Sequence, residues 1–182
     1  HFRVDEIYYP PTLENNKLKR ELLQIAGNQK IKTIELVSGD IIKIGSLIIR
    51  VLAPQLPLIL NHSINNNSLV LQVIYENFKL LLPGDLELEG EDRLLTYNDD
   101  LSSTILKVGH HGGGSSSSKS FLNQVAPQLA VISVGENNYN HPNLKVIDRF
   151  NKLGIKLLRT DKHGAVILRT DGDNYQYTTF FD

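Results

Sequence analysis

The stretch LLLPGD at residues 80–85, together with ILKVGHHG at residues 105–112, decides the fold of this chain. In each stretch an apolar run typical of a buried strand ends at a glycine. Metal-binding side chains follow, the carboxylate of Asp85 in the first and the imidazoles of His110 and His111 in the second. Because an α/β sheet places its ligands at the carboxyl ends of its strands, both stretches are predicted to open at one sheet edge.

Composition limits the classes of protein and of site. With 182 residues and 41% hydrophobic composition, the chain is predicted to form a single domain, residues 1–182, with a sizeable core. The sequence has no Cys, so any metal must be held by His, Asp or Glu. The net charge of −1 gives no indication of a broad basic surface for nonspecific nucleic-acid binding. No apolar run reaches the roughly 20 residues of a membrane-spanning helix.

The chain begins at His1 and contains no Met. We therefore expect it to be the C-terminal portion of a longer chain, truncated at its N-terminal end.

The first half of the chain is predicted to consist mainly of antiparallel hairpins, and the second half to alternate strands with helices. The predicted strands cover residues 4–9, 31–37, 41–44, 47–52, 69–75, 78–82, 105–108, 129–134, 155–158, 165–169 and 175–180. Residues 31–37 and 41–44 are predicted to form a hairpin through Ser38-Gly39-Asp40, with Asp40 as a turn carboxylate. Helices are predicted over residues 15–26 and 144–153, around Leu94, and after Ser118. This mixture predicts an α/β (α+β) fold, with one mixed sheet or two sheets packed face to face and helices outside, a four-layer αββα arrangement.

Asp85 and the double histidine are candidate metal ligands. Asp85 follows a buried strand and precedes a helix, so it is either a ligand or a helix N-cap. Two imidazoles flanked by Gly109 and Gly112 are unusual for a core histidine, and the glycines permit the dihedrals of an active-site loop. In an extended segment the two side chains diverge, so one is expected to bind metal and the other to face substrate. We take His110 as the ligand and His111 as the catalytic residue, although the pattern permits the reverse.

His141 lies at a third strand end, before Pro142, and alone would be read as a surface histidine. Its position after a separate strand, like those of Asp85 and His110, predicts that the three side chains converge on one edge. One carboxylate with two or three imidazoles suits one or two Zn²⁺ or Mn²⁺ ions. Such a cation would activate a water molecule and neutralise charge on a phosphate or acyl oxygen.

Two polar segments are candidates for substrate binding. Asn66, Asn67 and Ser68 precede a strand and form either a polar turn or a set of groups facing the site. Ser115 and Ser116 belong to a Gly/Ser run that is either a flexible linker or a phosphate-contacting segment before a helix.

Several motifs, taken in the order of the chain, resemble those of one family. They are NNSLVL at residues 66–71, LPGDLE at 82–87, LKVGHHG at 106–112 with SSSS at 115–118, VISVG at 131–135 with NN at 137–138 and HP at 141–142, and RTD at 159–161 with GA at 164–165. It is the C-terminal metallo-β-lactamase-like domain of ComEC-type DNA-internalisation competence proteins. The resemblance implies the αββα fold and a metal-dependent phosphodiesterase acting on single-stranded DNA during natural transformation. It also implies attachment to the membrane channel portion of the same parent protein, an integral plasma-membrane protein.

Position by position, the resemblance implies that Asp85 bridges metals, that His110 or His111 is the histidine of the His-His-Gly element, and that His141 is the histidine before proline. Asn66, Asn67 and Ser68 stand where other superfamily members often supply a ligand histidine. The family's first metal motif, a His and Asp cluster, is missing from this sequence, so the segment alone is expected to bind metal weakly and to be inactive.

Three functions are therefore compared. The first is the nuclease-like domain of a DNA-uptake protein, with single-stranded DNA as its partner. The second is a stand-alone hydrolase of the same superfamily acting on a small phosphodiester or ester. The third is an inactive binding or structural module. Metal analysis and the sequence that precedes His1 distinguish them.

Overall fold

The structure, a computed structural model, describes residues 3–12, 17–60, 63–97 and 100–181. Its strands are β1 (Glu6–Tyr9), β2 (Lys32–Glu35), β3 (Ile41–Ile44), β4 (Leu47–Ala53), β5 (Val70–Tyr75), β6 (Phe78–Leu82), β7 (Ile105–Lys107), β8 (Leu129–Ile132), β9 (Lys156–Arg159), β10 (Val166–Thr170) and β11 (Tyr175–Thr179). Its helices are α1 (Lys17–Asn28), α2 (Leu88–Tyr97), α3 (Lys119–Val125), α4 (Leu144–Lys152) and α5 (Thr160–His163), with 3-10 turns at Ile64–Asn67 and Gly109–Gly112. His1, His62 and the predicted start of the first helix at Asn15 lie outside the described residues.

A seven-stranded mixed sheet in the order β3-β4-β5-β6-β7-β8-β9 forms the centre of the fold. Strands β3 to β6 are antiparallel neighbours, whereas β6 to β9 are parallel. Tight turns join β3 to β4 and β5 to β6, a longer connection joins β4 to β5, and helical crossovers join the parallel strands after β6. The predicted mixed α/β class and the division between the two halves of the chain are thus confirmed.

The two faces of this sheet bury different partners, because successive residues of a strand point to opposite sides. Leu106 and Ile132 face a core that also contains Phe121 of α3 and Phe150 of α4. Ile105 and its neighbours face a second cluster that packs against the β10–β11 hairpin. Helices therefore cover one face and a hairpin lies on the other, which is consistent with an α+β sandwich. The complete four-layer αββα arrangement stays a prediction.

One predicted hairpin is wrong. The segments at residues 31–37 and 41–44 do not pair with each other: β2 pairs in parallel with β1, and β3 pairs with β4. Asp40 Oδ2 accepts a hydrogen bond from the Val37 amide at 2.8 Å and so closes a local turn between the two segments. The amides of Ser38 and Gly39 donate to Pro54 and Val51, which carries the chain from one sheet to the other. Asp40 is a turn carboxylate, as predicted.

Among the helices of the described residues, none combines the length and apolar character that crossing a bilayer requires.

Candidate functional site

The three parallel neighbours β6, β7 and β8 place the predicted site residues at one edge of the sheet. Asp85 follows β6, the double histidine follows β7, and His141 lies in the connection after β8. The His110 amide donates to the Gly84 carbonyl at 3.1 Å and so ties the first two loops together. The parallel register aligns these strand ends, and the topology accounts for the proximity of side chains that lie up to 56 residues apart in the sequence (141 − 85 = 56).

The double histidine lies in a left-handed turn rather than in the extended segment that we predicted. His110 has φ 48° and His111 has φ 51°, and Gly112 continues the turn at φ 77°. Consecutive non-glycine residues in the left-handed region are uncommon and carry strain, which the surrounding contacts must hold. Gly113 closes the turn by donating its amide to His110 O at 2.7 Å. The two imidazoles nevertheless pair with different carboxylates, as the expected divergence requires.

His111 is the imidazole that pairs with Asp85. Its Nε2 lies 3.8 Å from Asp85 Oδ1, and its Nδ1 lies 2.7 Å from the Ser133 carbonyl oxygen. A carbonyl only accepts, so Nδ1 is the donor in this contact, and Nε2 is the nitrogen on the side of the carboxylate. Two donors on one tetrahedral zinc, with bonds of about 2.0–2.1 Å, lie about 3.3 Å apart. The observed spacing of 3.8 Å is about 0.5 Å wider, so the two side chains would have to move closer together to share a cation.

His110 pairs with Glu87, a residue to which the sequence gave no site role. Its Nδ1 lies 3.6 Å from Glu87 Oε1, which also accepts hydrogen bonds from Ser63 Oγ at 2.9 Å and Asn65 Nδ2 at 2.8 Å. Burial alone would raise the pKa of Glu87, but these hydrogen bonds and His110 outweigh it and hold the pKa below its ordinary value. Glu87 is therefore a second carboxylate at the site, stabilised in its charged form.

His141 adds a third imidazole beside the first two. Its ring meets that of His110 edge to face, with the centroids 5.2 Å apart. Within the described residues, Nδ1 of His110 and Nδ1 of His141 are buried and lack a hydrogen-bond partner. Buried polar atoms of this kind normally have partners, so two such nitrogens at one place suit a ligand that imidazole binds. The donor chemistry therefore fits a divalent cation of the zinc or manganese type.

Within the residues that the structure describes, the site does not form a complete metal shell. In residues 3–12, 17–60, 63–97 and 100–181, no group of three or more His, Asp or Glu side chains is arranged to hold a metal ion. The structure instead shows two imidazole–carboxylate pairs, His111 with Asp85 and His110 with Glu87. The assignment of Asp85, His110 and His141 as ligands, and of His111 as the catalytic residue, stays a prediction.

Lys107 places a positive charge near the Asp85 carboxylate. It is the last residue of β7, it is half-buried, and its Nζ donates to the Val108 carbonyl at 3.3 Å. Burial lowers the pKa of Lys107, and Asp85 partly opposes that effect. The site edge thus combines carboxylates, imidazoles and an ammonium group.

The predicted substrate-binding residues are mostly engaged within the protein. Asn66 accepts from the Gly90 amide at 2.9 Å, and Asn67 makes two hydrogen bonds to the backbone of Ile59. Both asparagines are buried, so they have the structural role of a polar turn. Ser68 is half-buried and lies close to Gly84.

The Gly/Ser run is an ordered loop and not a flexible linker. Ser116 is fully buried, and its Oγ reaches the carbonyls of Gly109 and Gly113, both at 3.0 Å. Ser118 caps α3 by accepting from the Phe121 amide, as the sequence predicts. Ser115 is half-buried and accepts from the α2 amide of Leu88 at 2.7 Å. Ser116 is thereby a structural residue in this conformation.

A buried ion cluster holds that loop, and its acid was not identified from the sequence. Glu91 of α2 is 2% exposed and accepts hydrogen bonds from the amides of Ser117 and Ser118, the second at 2.7 Å. Arg149 of α4 donates to the carbonyls of Ser116 and Ser117, the first at 3.0 Å. The sequence interpretation treated Glu87 and Glu91 only as acids at a helix start. Their spacing of four residues indicates one shared helix face and could have identified both.

Gly112 provides a test of the turn. A Cβ at this position would lie 2.8 Å from Pro142 Cβ, and φ of +77° is unfavourable for any L side chain. Gly112→Ala is therefore expected to lower the free energy of unfolding by about 1–3 kcal/mol, measured by chemical denaturation. Gly135→Ala is the matched control, since its Cβ would meet nothing within 4 Å and its φ is not positive. An equal, small effect of both substitutions would show that the turn does not require glycine.

No family model matches the chain. It is 35% identical over 170 residues to ComE operon protein 3 of Bacillus subtilis (strain 168), matching 93% of this chain and 22% of that protein. It is also 47% identical over 104 residues to competence protein ComA of Neisseria gonorrhoeae, matching 56% of this chain and 15% of that protein. Recombination protein 2 of Haemophilus influenzae is 32% identical over 103 residues, 56% of this chain and 13% of that protein.

The chain thus spans about a fifth of the length of the Bacillus relative and less of the other two. The first similarity covers nearly all of this chain, including both site loops and the parallel half of the sheet. The names of these relatives agree with the resemblance seen in the sequence motifs. The chain therefore belongs, as one segment, to the family of ComEC-type competence proteins.

Proposed function

We propose that this chain is part of a metal-dependent phosphodiesterase domain of a DNA-uptake protein, acting on single-stranded DNA. One of the relatives is named a competence protein, one a ComE operon protein and one a recombination protein, and all three are much longer than this chain. The proposed setting is a domain attached to the membrane channel portion of the same parent protein.

The observation that carries the proposal is the contact between Asp85 and His111. The Asp85 carboxylate and the Nε2 atom of His111 lie 3.8 Å apart at the edge of a parallel sheet, and the Ser133 carbonyl holds the other ring nitrogen. The loop around them is strained and is held by buried contacts. A functional site explains such an arrangement better than folding stability does, because strained loops cluster where chemistry needs a fixed geometry.

Each group then has a distinct part in phosphodiester hydrolysis. Asp85 and His111 would hold a Zn²⁺ or Mn²⁺ ion together, with His110 and His141 as further donors. The cation, when bound, would supply an activated water and neutralise charge on the phosphate. Glu87, kept charged 3.6 Å from His110 Nδ1, would add a second negative charge beside the cation. Lys107 would attract the phosphate to the side of Asp85, where its ammonium group lies within electrostatic reach.

A second candidate, an inactive binding module, is favoured by one observation: no three-residue metal group is formed in the described segments. The remaining candidate, a stand-alone hydrolase of a small phosphodiester or ester, would use the same groups on a different substrate.

The test is hydrolysis of labelled single-stranded DNA by the full-length protein, combined with analysis of its metal content. We expect hydrolysis with Mn²⁺ or Zn²⁺, loss on chelation and recovery when the cation returns. Cleavage of a small phosphodiester with no cleavage of DNA would indicate the stand-alone hydrolase. A protein that binds no metal and cleaves neither substrate would be the inactive module.

A further inference from the structure

A cavity of about 220 Å³ adjoins the candidate site on the side of the loop that follows β8. His111 and His141 line it together with Val134 and Tyr139, which contribute apolar surface. Tyr139 is 79% exposed, and its ring centroid lies 5.9 Å from that of His141 with the planes 35° apart. A large and mostly exposed aromatic ring thus lines the same cavity as two histidines of the candidate site.

The loop that carries Tyr139 is fixed by one side chain. Asn137 donates from Nδ2 to the carbonyls of Gly135 and His141, both at 2.8 Å. Its Oδ1 accepts from the amides of Tyr139 at 3.0 Å and His141 at 3.1 Å. Four hydrogen bonds from a single residue hold the backbone on both sides of the tyrosine. The exposed ring is therefore presented from a preorganised loop, which reduces the entropy that a ligand must overcome on binding.

The residues that line the cavity indicate which kind of chemical group it could bind. In the described part of the chain, no Lys or Arg lines it, and Glu136 contributes a negative charge, so it does not suit a phosphate. A largely apolar lining that includes the rings of His111, Tyr139 and His141 suits a flat, neutral ring system. In a nucleic acid that group is the base, and stacking on an exposed aromatic side chain tolerates any base because each has a π-face.

We propose that Tyr139 and His141 form a stacking subsite for the nucleobase next to the phosphodiester held at Asp85 and His111. This inference rests on the proposed function for its substrate class, single-stranded DNA. The subsite implies that part of the affinity for single-stranded DNA comes from contact with a base, in addition to contacts with the sugar-phosphate backbone.

The test compares two oligonucleotides of equal length and phosphate number, one of thymidines and one with abasic sites throughout, both with hydrolysis-resistant phosphorothioate links. Binding to the full-length protein is measured by fluorescence anisotropy. We expect the wild type to bind the thymidine strand more tightly than the abasic strand. Tyr139→Ala should weaken binding of the thymidine strand roughly 10-fold, within the usual range for base–aromatic stacking, and leave the abasic strand unchanged. Tyr139→Phe should retain the preference because it retains the ring.

Tyr97→Ala is the matched control, since Tyr97 is an exposed tyrosine, 64% accessible, at the far end of α2 from the site. Equal binding of the two strands by the wild type would overturn the proposal. A Tyr139→Ala effect of the same size on both strands, or on neither, would also overturn it. Binding is measured apart from hydrolysis, so a protein that prefers bases but never cleaves DNA would refute the proposed function and leave the subsite standing.

Discussion

Replacing Asp85 by alanine in the full-length protein is expected to reduce cation-dependent hydrolysis of single-stranded DNA at least about 100-fold. Loss of an outer partner of a metal ligand already costs about 10- to 100-fold, and Asp85 is proposed to contact the cation itself. Its side chain is 45% exposed, so its removal should change the free energy of unfolding by less than about 0.5 kcal/mol. Initial rates with Mn²⁺ and denaturant unfolding give the two readouts.

Asp40 is the matched control for Asp85, because each aspartate follows a glycine at a turn. Asp40 accepts a hydrogen bond from the Val37 amide in a part of the fold away from the site edge. Asp40→Ala should therefore lower stability by about 1 kcal/mol and leave hydrolysis intact. Asp85→Ala should thus lower the hydrolysis rate with little change in stability, whereas Asp40→Ala should lower stability with little change in the hydrolysis rate. Full hydrolytic activity in Asp85→Ala would contradict the proposed role of the carboxylate.

The central strands could be predicted because their sequences agree with their environment. Residues 78–82 are apolar and end at Pro83-Gly84, and the structure has β6 at Phe78–Leu82 in the middle of the sheet. β5 and β6 pair as a hairpin with Tyr75 opposite Phe78, on the two sides of Glu76-Asn77. The local sequence pattern and the burial in the fold favour the same strand here, so this strand can be predicted from a single sequence.

Contacts between distant segments could not be predicted in the same way. The hairpin predicted between residues 31–37 and 41–44 had a suitable turn, but β2 pairs with β1, which lies more than 20 residues earlier. A strand's choice between two partners depends on burial of its faces in the whole fold, and turn residues alone do not carry that information. The same limit applies to the double histidine, whose left-handed turn depends on contacts with Gly84, Ser133 and Pro142.

The position of the site could be predicted from the sequence, but the pairing of its imidazoles with its carboxylates could not. Asp85, His110 and His141 follow three strands, and parallel pairing of those strands brings their ends to one edge. Which imidazole meets which carboxylate depends on side-chain directions in a strained turn, which periodicity does not give. The buried role of Glu91 was also hidden, because an acid in the first turn of a helix already has a sufficient explanation in the helix dipole.

Replacing Glu91 by alanine should cause a large loss of stability. Its carboxylate is buried and accepts from two backbone amides, those of Ser117 and Ser118, so its removal leaves both donors unpaired. Arg149, which donates to the same loop, would lose the nearby negative charge. We expect Glu91→Ala to lower the free energy of unfolding by about 3–5 kcal/mol. Glu91→Gln keeps one acceptor oxygen and should lose about 1–3 kcal/mol.

The pH dependence of unfolding separates the charge of Glu91 from its packing. Burial raises the pKa of Glu91 above its ordinary value of 4.5, although the amides of Ser117 and Ser118 and the charge of Arg149 partly offset the effect. Folding therefore favours the neutral acid, so this contribution to stability is complete below about pH 4.5 and is lost as the pH rises through the folded-state pKa. Denaturant unfolding of the wild type minus that of Glu91→Gln, followed across that range, should show this decline. A difference that does not change with pH would mean that Glu91 acts through shape and hydrogen bonding alone, with no cost from its buried charge.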